Sequence, residues 1–348
     1  MEESAGKETA AAQRRSGGLG MMKEQGLLML RRIRVENANA VAGLTWGFPA
    51  VSAFLGFTHA LSRKLPPEWG LTLTGCGIVC HEHEAQTHQP KGWGDHVFAL
   101  SRNPLTKAGE TSSFIEEGRM RLTVSLLIPF TGELPLDGEE EKAWLEEIRR
   151  LVCGQRLAGG TVLDLQEAAL ENFPEDWQQR RQFSRKQLRC LLPGFALVER
   201  ADLLAEHFRS LREANPAAEP LDAWLDFAAL KYKAELPEEG KEKAEWRHVP
   251  KPGGGWLVPL AVGYRGISKL HEPGQVAHAR DSQTQFRFAE TVYSVGEWLS
   301  PHRAQTLDEL IWRHEAEPES GWYLCRNAFN LLKENTHHGC ENRICAGL

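Results

Sequence analysis

No apolar run in the chain approaches the roughly 20 residues that a membrane-spanning helix needs. The nearest, "GLLML", is cut off by Arg31 and Arg32. No membrane partner is therefore expected. The opening stretch, "MEESAGKETAAAQRRSGGLG", lacks both the apolar centre of a signal peptide and any helical period. It reads as a disordered tail over 1–25, with folded sequence beginning near Met21 or Met22, and the expected location is cytoplasmic. Cysteine is sparse: seven residues, an odd number at irregular spacing, argue against a disulfide framework in 348 residues. A basic excess is also missing. The formal net charge is −6, which weighs against nucleic-acid binding, because phosphate recognition usually leaves a basic footprint. Local patches nevertheless matter more than the total. There is no internal repeat, and no low-complexity block beyond the N-terminal tail.

What is present reads as an ordinary globular chain, 41% hydrophobic and 25% charged, of one large domain or two smaller ones. "LLMLRRIRVE" (27–36) begins apolar and then alternates, with Ile33 and Val35 on one face and Arg32 and Arg34 on the other. An Asn/Gly turn leads to a helix over about 46–64, stopped by Pro66-Pro67. Trp46 and Phe48 within it are expected in the core. "LTLTGCGIVCHE" (71–82) is a second strand, with Gly75 and Gly77 marking a bulge or close backbone approach. Residues 84–117 are too long and polar for a simple connection. "GRMRLTVSLLIPF" (118–130) places Met120, Leu122, Val124 and Leu126 inward and Arg119 and Arg121 outward. An acidic-headed helix follows, with Trp144, Ile148 and Val152 on one face, and then the glycine turn of "RLAGGTVLDL" and a strand. The order strand, helix, strand, strand, helix, strand predicts an α+β, ferredoxin-like core, the plan of the RNA recognition motif.

The second half is less regular. It reads as a basic helix at "QQRRQFSRKQLRC", a strand and helix through "LLPGFALVERADLLAEHFRSL", and a helix at "LDAWLDFAALKYKA". A charged loop is expected over 235–252, a strand pair in "GGGWLVPLAVGYRGIS", a strand in "QFRFAETVYSVGEWLS" and a helix at "AQTLDELIWRHE".

Three groups of residues are candidates for chemistry. On a strand, His81 and His83 share a side, with Cys76, Cys80 or His88 as further candidate ligands, but the spacing matches no zinc pattern. The C-terminal His337, His338, Cys340 and Cys345 are closer to a half-site. The balance favours no metal and no cofactor. His59, near Arg63 and Lys64, has the chemistry of an acid or base for RNA cleavage, yet nothing marks the second group such a reaction needs. The third group is an outward row of cations and amides: Arg32, Arg34, Asn37, Asn39, Arg119 and Arg121, with Arg265, Arg280 and Arg287 further on. Sheets bind single-stranded RNA through such groups. In "LAGGTV", Gly159 and Gly160 can bring backbone amides close to a phosphate. No Gly-Lys-Ser/Thr follows, so it is not a nucleotide-hydrolase loop.

"ENANAVAGLTWGFPAVSAFLGFTHALSRK", "GCGIVCHEHEAQ", "LAGGTV", "LLPGFALVERADLL" and "FRFAETVYSVGEWLSPHR" together resemble, in order, the type I-F CRISPR (Cascade) surveillance-complex subunit of the Cas-five class. The resemblance runs from about residue 27 to 327. It implies a RAMP-superfamily protein with no catalytic residues. It implies that the subunit holds the 5′ handle of the guide CRISPR RNA, pairs with the large subunit, adjoins the first backbone subunit, and meets target DNA through the assembled complex. Residues 84–117 would then be a thumb inserted in a core of 26–170, with Lys91, Trp93, Arg102 and Lys107 as its contacts. Residues 171–330 would complete the head, and 331–348 form a C-terminal tail that the resemblance does not cover. Two other readings stay open beside it: a RAMP endoribonuclease that processes guide precursor RNA, and a zinc-stabilised α+β protein.

Overall fold

A computed structural model describes residues 23–329, apart from Lys107, Leu136, 236–243 and Arg280. The C-terminal His/Cys cluster therefore lies outside the described residues, as do the expected contacts Lys107 and Arg280.

Six elements build the first layer: β1 (Gly26–Asn39), α1 (Val51–Ser62), β2 (Cys76–Ala85), β3 (Arg119–Thr131), α2 (Gly138–Cys153) and β4 (Gly160–Asn172). The strands pair antiparallel in the order β4-β1-β3-β2. This is the ferredoxin-like arrangement that the element order predicts. The alternation read in β3 holds, since Met120, Leu122, Val124 and Leu126 are all buried toward the helices. From β1 come Leu28, Leu30, Ile33, Val35 and Ala38. The strand keeps that phase over fourteen residues only by bulging twice against β3, at Leu30/Ile33 and Val35/Ala38. Arg32 (φ 50°) and Asn37 (φ 59°) take the left-handed conformation there.

Helix α2 starts at Asp137, whose carboxylate accepts from the Glu139 amide, and Glu139–Glu141 occupy its positive end. It buries Trp144, Ile148 and Val152, and Trp144 stacks on Trp69 at 4.3 Å. Helix α1 starts five residues later than expected. Trp46 instead belongs to a small hairpin, Thr45–Trp46 paired with Val41–Ala42, and is 68% exposed. The reason is local: Gly47 sits at φ 110°, which no helix tolerates, and Pro49 follows. Phe48 meets the expectation of a core residue better, packed half-buried between Phe54 and Trp298.

The second half supplies β5 (Phe195–Glu199), β6 (Leu257–Gly266), β7 (Ala289–Leu299), β8 (Ile311–Glu317) and β9 (Trp322–Asn327), paired in the order β5-β7-β6-β9-β8. Both of its edge strands return to β2. Phe195 and Ala196 pair with Cys80 and Val79, while Ile311 and Trp312 pair with Gly77 and Cys76. The strands thus close into a ring. Trp312, wholly buried, ties it by donating its indole N–H to the Leu197 carbonyl at 2.8 Å. Close approach explains the glycine just before β2, because a Cβ on Gly75 would lie 2.8 Å from the Trp312 carbonyl.

Three expectations for this half fail. "GGGWLVPLAVGYRGIS" is one long strand, β6, rather than a pair. The loop expected at 235–252 contains one arm of a hairpin, Glu245–Val249 paired with Lys231–Glu235. "AQTLDELIWRHE" is a single 3-10 turn followed by β8, because Ile311 and Trp312 are both buried, on successive sides of a strand, where one helical face would bury only one.

Helices α3 (Trp177–Cys190), α4 (Ala201–Ala214) and α5 (Pro220–Ala228) complete the described helices. Together with the turns at Pro301–Arg303 and Asp308–Leu310, α3 covers Leu27, Met29, Val79 and Leu127 on the sheet face away from α1 and α2. The expected open face is therefore open only over its upper half.

Candidate nucleic-acid interface

On that upper half, Arg34 is exposed and carries no ion pair among the described residues. Arg121 is held by Glu36 at 3.1 Å and Glu84 at 3.4 Å, and Thr123 donates to Glu82. Acidic neighbours compensate much of the charge that the strand pattern turns outward. Arg32 sits in its bulge half-buried, with its amide donating to Ser125 Oγ at 3.0 Å. From there a relay runs across the sheet. Ser125 donates to His81 Nε2 (2.7 Å), and His81 Nδ1 donates to the Pro193 carbonyl (2.6 Å). A carbonyl only accepts, so Nδ1 carries a proton, and in the neutral ring Nε2 is then the acceptor. Burial, with Arg32 adding to it, pushes His81 below its ordinary pKa.

This relay overturns the expected same-side pair of histidines. A bulge between Cys80 and Glu82 turns His81 to the open face, while His83 falls opposite Leu122, on the other side. Burial raises the thiols of Cys76 and Cys80 to about 12. Among the described residues no group of three or more His, Cys, Asp or Glu is placed to hold a metal ion. His59 is exposed at the end of α1, tilted against His314 at 6.4 Å.

The larger feature lies at the end of the sheet. A cavity of about 970 Å³ opens between the end of β1, the start of α1, the turn before β4 and strands β6 and β7. Asn39, Arg119 and Gly159 of the expected set meet there. Arg119 pairs with Glu117 at 3.2 Å, and Asn39 closes its own turn through both amide atoms onto Val41. Gly159 (φ 77°) follows Ala158 (φ 50°) in a left-handed turn, and a Cβ on Gly159 would meet open space. Gly160 is different: its Cβ would lie 2.6 Å from the Glu36 carbonyl, so it is glycine to let the start of β4 lie close against β1.

Three contributors were missed in the sequence. Arg156 lines the cavity beside Gln155. The Gln155 side-chain amide nitrogen is buried, in a residue only 9% exposed, and has no hydrogen-bond partner among the described residues. Helix α1 points its start at the same space: its N-cap is Ala50, no side chain caps it, and no acid occupies its first turn. Such an end carries unsatisfied N–H groups and partial positive charge, the ready-made partner of a phosphate. An alanine where Ser, Thr or Asp would normally stand was the one signal available in the sequence. Small side chains (Ala50, Ser52, Ala53, Gly56) floor the cavity, and Tyr264 adds an aromatic face.

The remaining expected residues lie apart. Arg265 stacks over Trp322 at 4.8 Å. Arg287 donates to the Pro318 and Glu319 carbonyls and packs under Gly266 and Gly321, a structural role. Residues 84–117 fold as short antiparallel strands, Thr87–His88, Val97–Arg102 and Phe114–Glu117. On this arm Lys91 lies over Trp93 and Arg102 over Phe114, and Phe98 meets Trp46 edge-on at 5.8 Å. Trp93, Leu100, Leu105 and Phe114 stand exposed.

Comparison with known proteins agrees with this architecture. The family model described as "CRISPR-associated protein (Cas_Csy2)" matches residues 28–325. The CRISPR-associated protein Csy2 of Pseudomonas aeruginosa (strain UCBPP-PA14) is 42% identical over 314 residues, covering 86% of this chain and 94% of that one.

Proposed function

Because the chain belongs to the Csy2 family of CRISPR-associated proteins, we propose that its end-of-sheet cavity holds the 5′ handle of a guide CRISPR RNA. The chain is a non-catalytic, RNA-binding subunit of a type I-F CRISPR surveillance complex, assembled with other subunits. The observation that carries the handle reading is the convergence of an uncapped helix start, a left-handed turn and an unpartnered buried amide on one cavity. The helix start and Arg156 neutralise a phosphate, Gln155 donates to it or to a base, and Tyr264 offers a stacking face. The upper sheet face, with Arg34 uncompensated, continues the path.

In the same reading residues 84–117 are the thumb. Its exposed Trp93, Leu100 and Phe114 are desolvated against the neighbouring large subunit and first backbone subunit, since a free surface of that kind invites association. Target DNA is met through the assembled complex.

The test is anisotropy of a labelled handle RNA on the full chain. Arg156→Glu weakens binding by about tenfold, or 1.4 kcal/mol, and lowers its salt dependence. Arg287→Gln leaves affinity unchanged. Retained affinity in Arg156→Glu with loss in Arg34→Glu would move the handle from the cavity to the sheet face. The RNA stays intact throughout; cleavage at a fixed position would restore the endoribonuclease reading.

A further inference from the structure

An uncompensated positive surface of the described residues lies outside that cavity. Helix α3 carries Arg180, Arg181, Arg185, Lys186 and Arg189 and no carboxylate between Trp177 and Cys190. Its inner face, Ser184, Gln187 and Leu188, is fixed to the sheet. Gln187, wholly buried, donates to Glu171 at 2.8 Å and accepts from Arg31. Asp176 caps the first turn from the Gln179 amide. The helix is thus a platform with a defined outward side, and it packs beside the turn Pro301–Arg303.

Between them runs a groove of about 810 Å³, lined by Arg181, Arg185, Arg189, His302 and Arg303 with Leu188, Leu192, Ala304 and Gln305. No Asp or Glu lines it. Many arginines elsewhere are compensated, while these stand together. Arg31, Arg119, Arg121, Arg150, Arg200, Arg313 and Arg326 are each ion-paired, whereas no ion pair occupies Arg181, Arg185, Lys186, Arg189 or Arg303 among the described residues. On a chain of net charge −6, leaving this many cations together costs repulsion unless a polyanion relieves it.

The chemistry of the groove narrows the occupant. Arg181, Arg185 and Arg189 follow one another at four-residue spacing, a row of cations rising about 6 Å per step. No Phe, Tyr or Trp lines the groove, and the one imidazole, His302, is engaged with Ser300; single strands are held by stacking on such rings as well as by charge. Cations in a row, without a Phe, Tyr or Trp platform for unstacked bases, suit the outside of a double helix.

We propose that α3 and the Pro301–Arg303 turn grip the phosphate backbone of double-stranded DNA without reading its sequence. The groove is a second nucleic-acid site, distinct in partner from the handle cavity, which takes a single strand. In a surveillance complex it would hold the duplex beside the region being tested by the guide, raising the local concentration of DNA rather than choosing it.

The probe is a short fluorescein-labelled DNA duplex unrelated to any guide, titrated with the full chain across a range of salt. Arg181→Glu, Arg185→Glu and Arg189→Glu combined should weaken binding at least tenfold. They should also flatten the slope of log affinity against log salt by about 2.7, at about 0.9 per phosphate contact. Arg209→Glu, Lys64→Glu and Lys269→Glu, an equal charge change on exposed residues elsewhere, should leave most of the binding. The single change Arg185→Gln, mild enough to exclude a folding defect, should flatten the slope by about 0.9. Equal losses in the two triple variants would overturn the proposal. So would a single strand of the same length binding as tightly as the duplex and lost with it. Unchanged duplex binding with loss of association with the other subunits would overturn it as well and make the helix a protein interface. Handle RNA binding should survive the triple variant, which separates failure here from failure of the cavity reading.

Discussion

Gly159 and Gly160 are adjacent, both glycine, and glycine for different reasons, so replacing each with alanine tests the architecture around the cavity. At Gly160 a methyl would lie 2.6 Å from the Glu36 carbonyl oxygen and 2.7 Å from the Ala38 nitrogen. Both are main-chain atoms of β1, and neither can swing aside like a side chain. β1 is paired on both edges, to β3 and β4, and it bulges at this point. Clearing the contact means moving a doubly paired strand by several tenths of an ångström. Overpacking of this kind costs about 1–3 kcal/mol, and the rigid neighbours place Gly160→Ala toward the upper end, about 2–3 kcal/mol. At Gly159 a methyl meets open space, and only its φ of 77° resists. Alanine there costs about 1–2 kcal/mol. Urea unfolding of the full chain measures both as midpoint shifts at constant slope. The functional order is reversed: Gly159→Ala intrudes on the cavity and lowers handle-RNA affinity, whereas Gly160→Ala acts through the fold. A Gly160→Ala variant within about 0.5 kcal/mol of the native chain, with Gly159→Ala the costlier change, would refute the account of the close β1–β4 contact.

Three further outcomes follow from particular groups. The depressed pKa of His81 means that the folded state holds fewer protons there than the unfolded chain. Its contribution is complete above the ordinary histidine value of about 6.5 and is lost below it, as pH falls through the lower value of the folded state. Thermal melts from pH 8 down to about 5 should therefore show a decline that His81→Gln reduces. Trp312→Phe removes the indole donor to Leu197 and leaves a buried carbonyl and a small void. A loss of about 2–4 kcal/mol is expected in urea unfolding. Thiol labelling of the native chain, read by peptide mass spectrometry, should modify the exposed Cys153 and Cys190. It should spare Cys76, Cys80 and Cys325, which burial raises to about 12.

The sequence by itself determined the ferredoxin-like core, because each of its elements announces its own period. Met120, Leu122, Val124 and Leu126 alternate, and Trp144, Ile148 and Val152 fall on one helical stripe. The peculiar strings around 36–64 and 286–303 were enough to place the family. Outward arginines on β1 and β3 were legible too, but not their compensation, since Glu36 and Glu84 reach Arg121 only once three strands lie side by side. Local pattern also misread "AQTLDELIWRHE", where closing the ring required Ile311 and Trp312 to be buried on successive sides of a strand. Tertiary structure alone decided where the cavity lies. It assembles an alanine at a helix start, a glutamine after α2 and a tyrosine on β6, residues more than a hundred positions apart that share no local signal. Tertiary structure likewise turned the basic stretch at 177–190 into a groove, by placing Pro301–Arg303 beside it. Periodicity records which side of an element is buried; it holds no information about which distant element will lie against the other side.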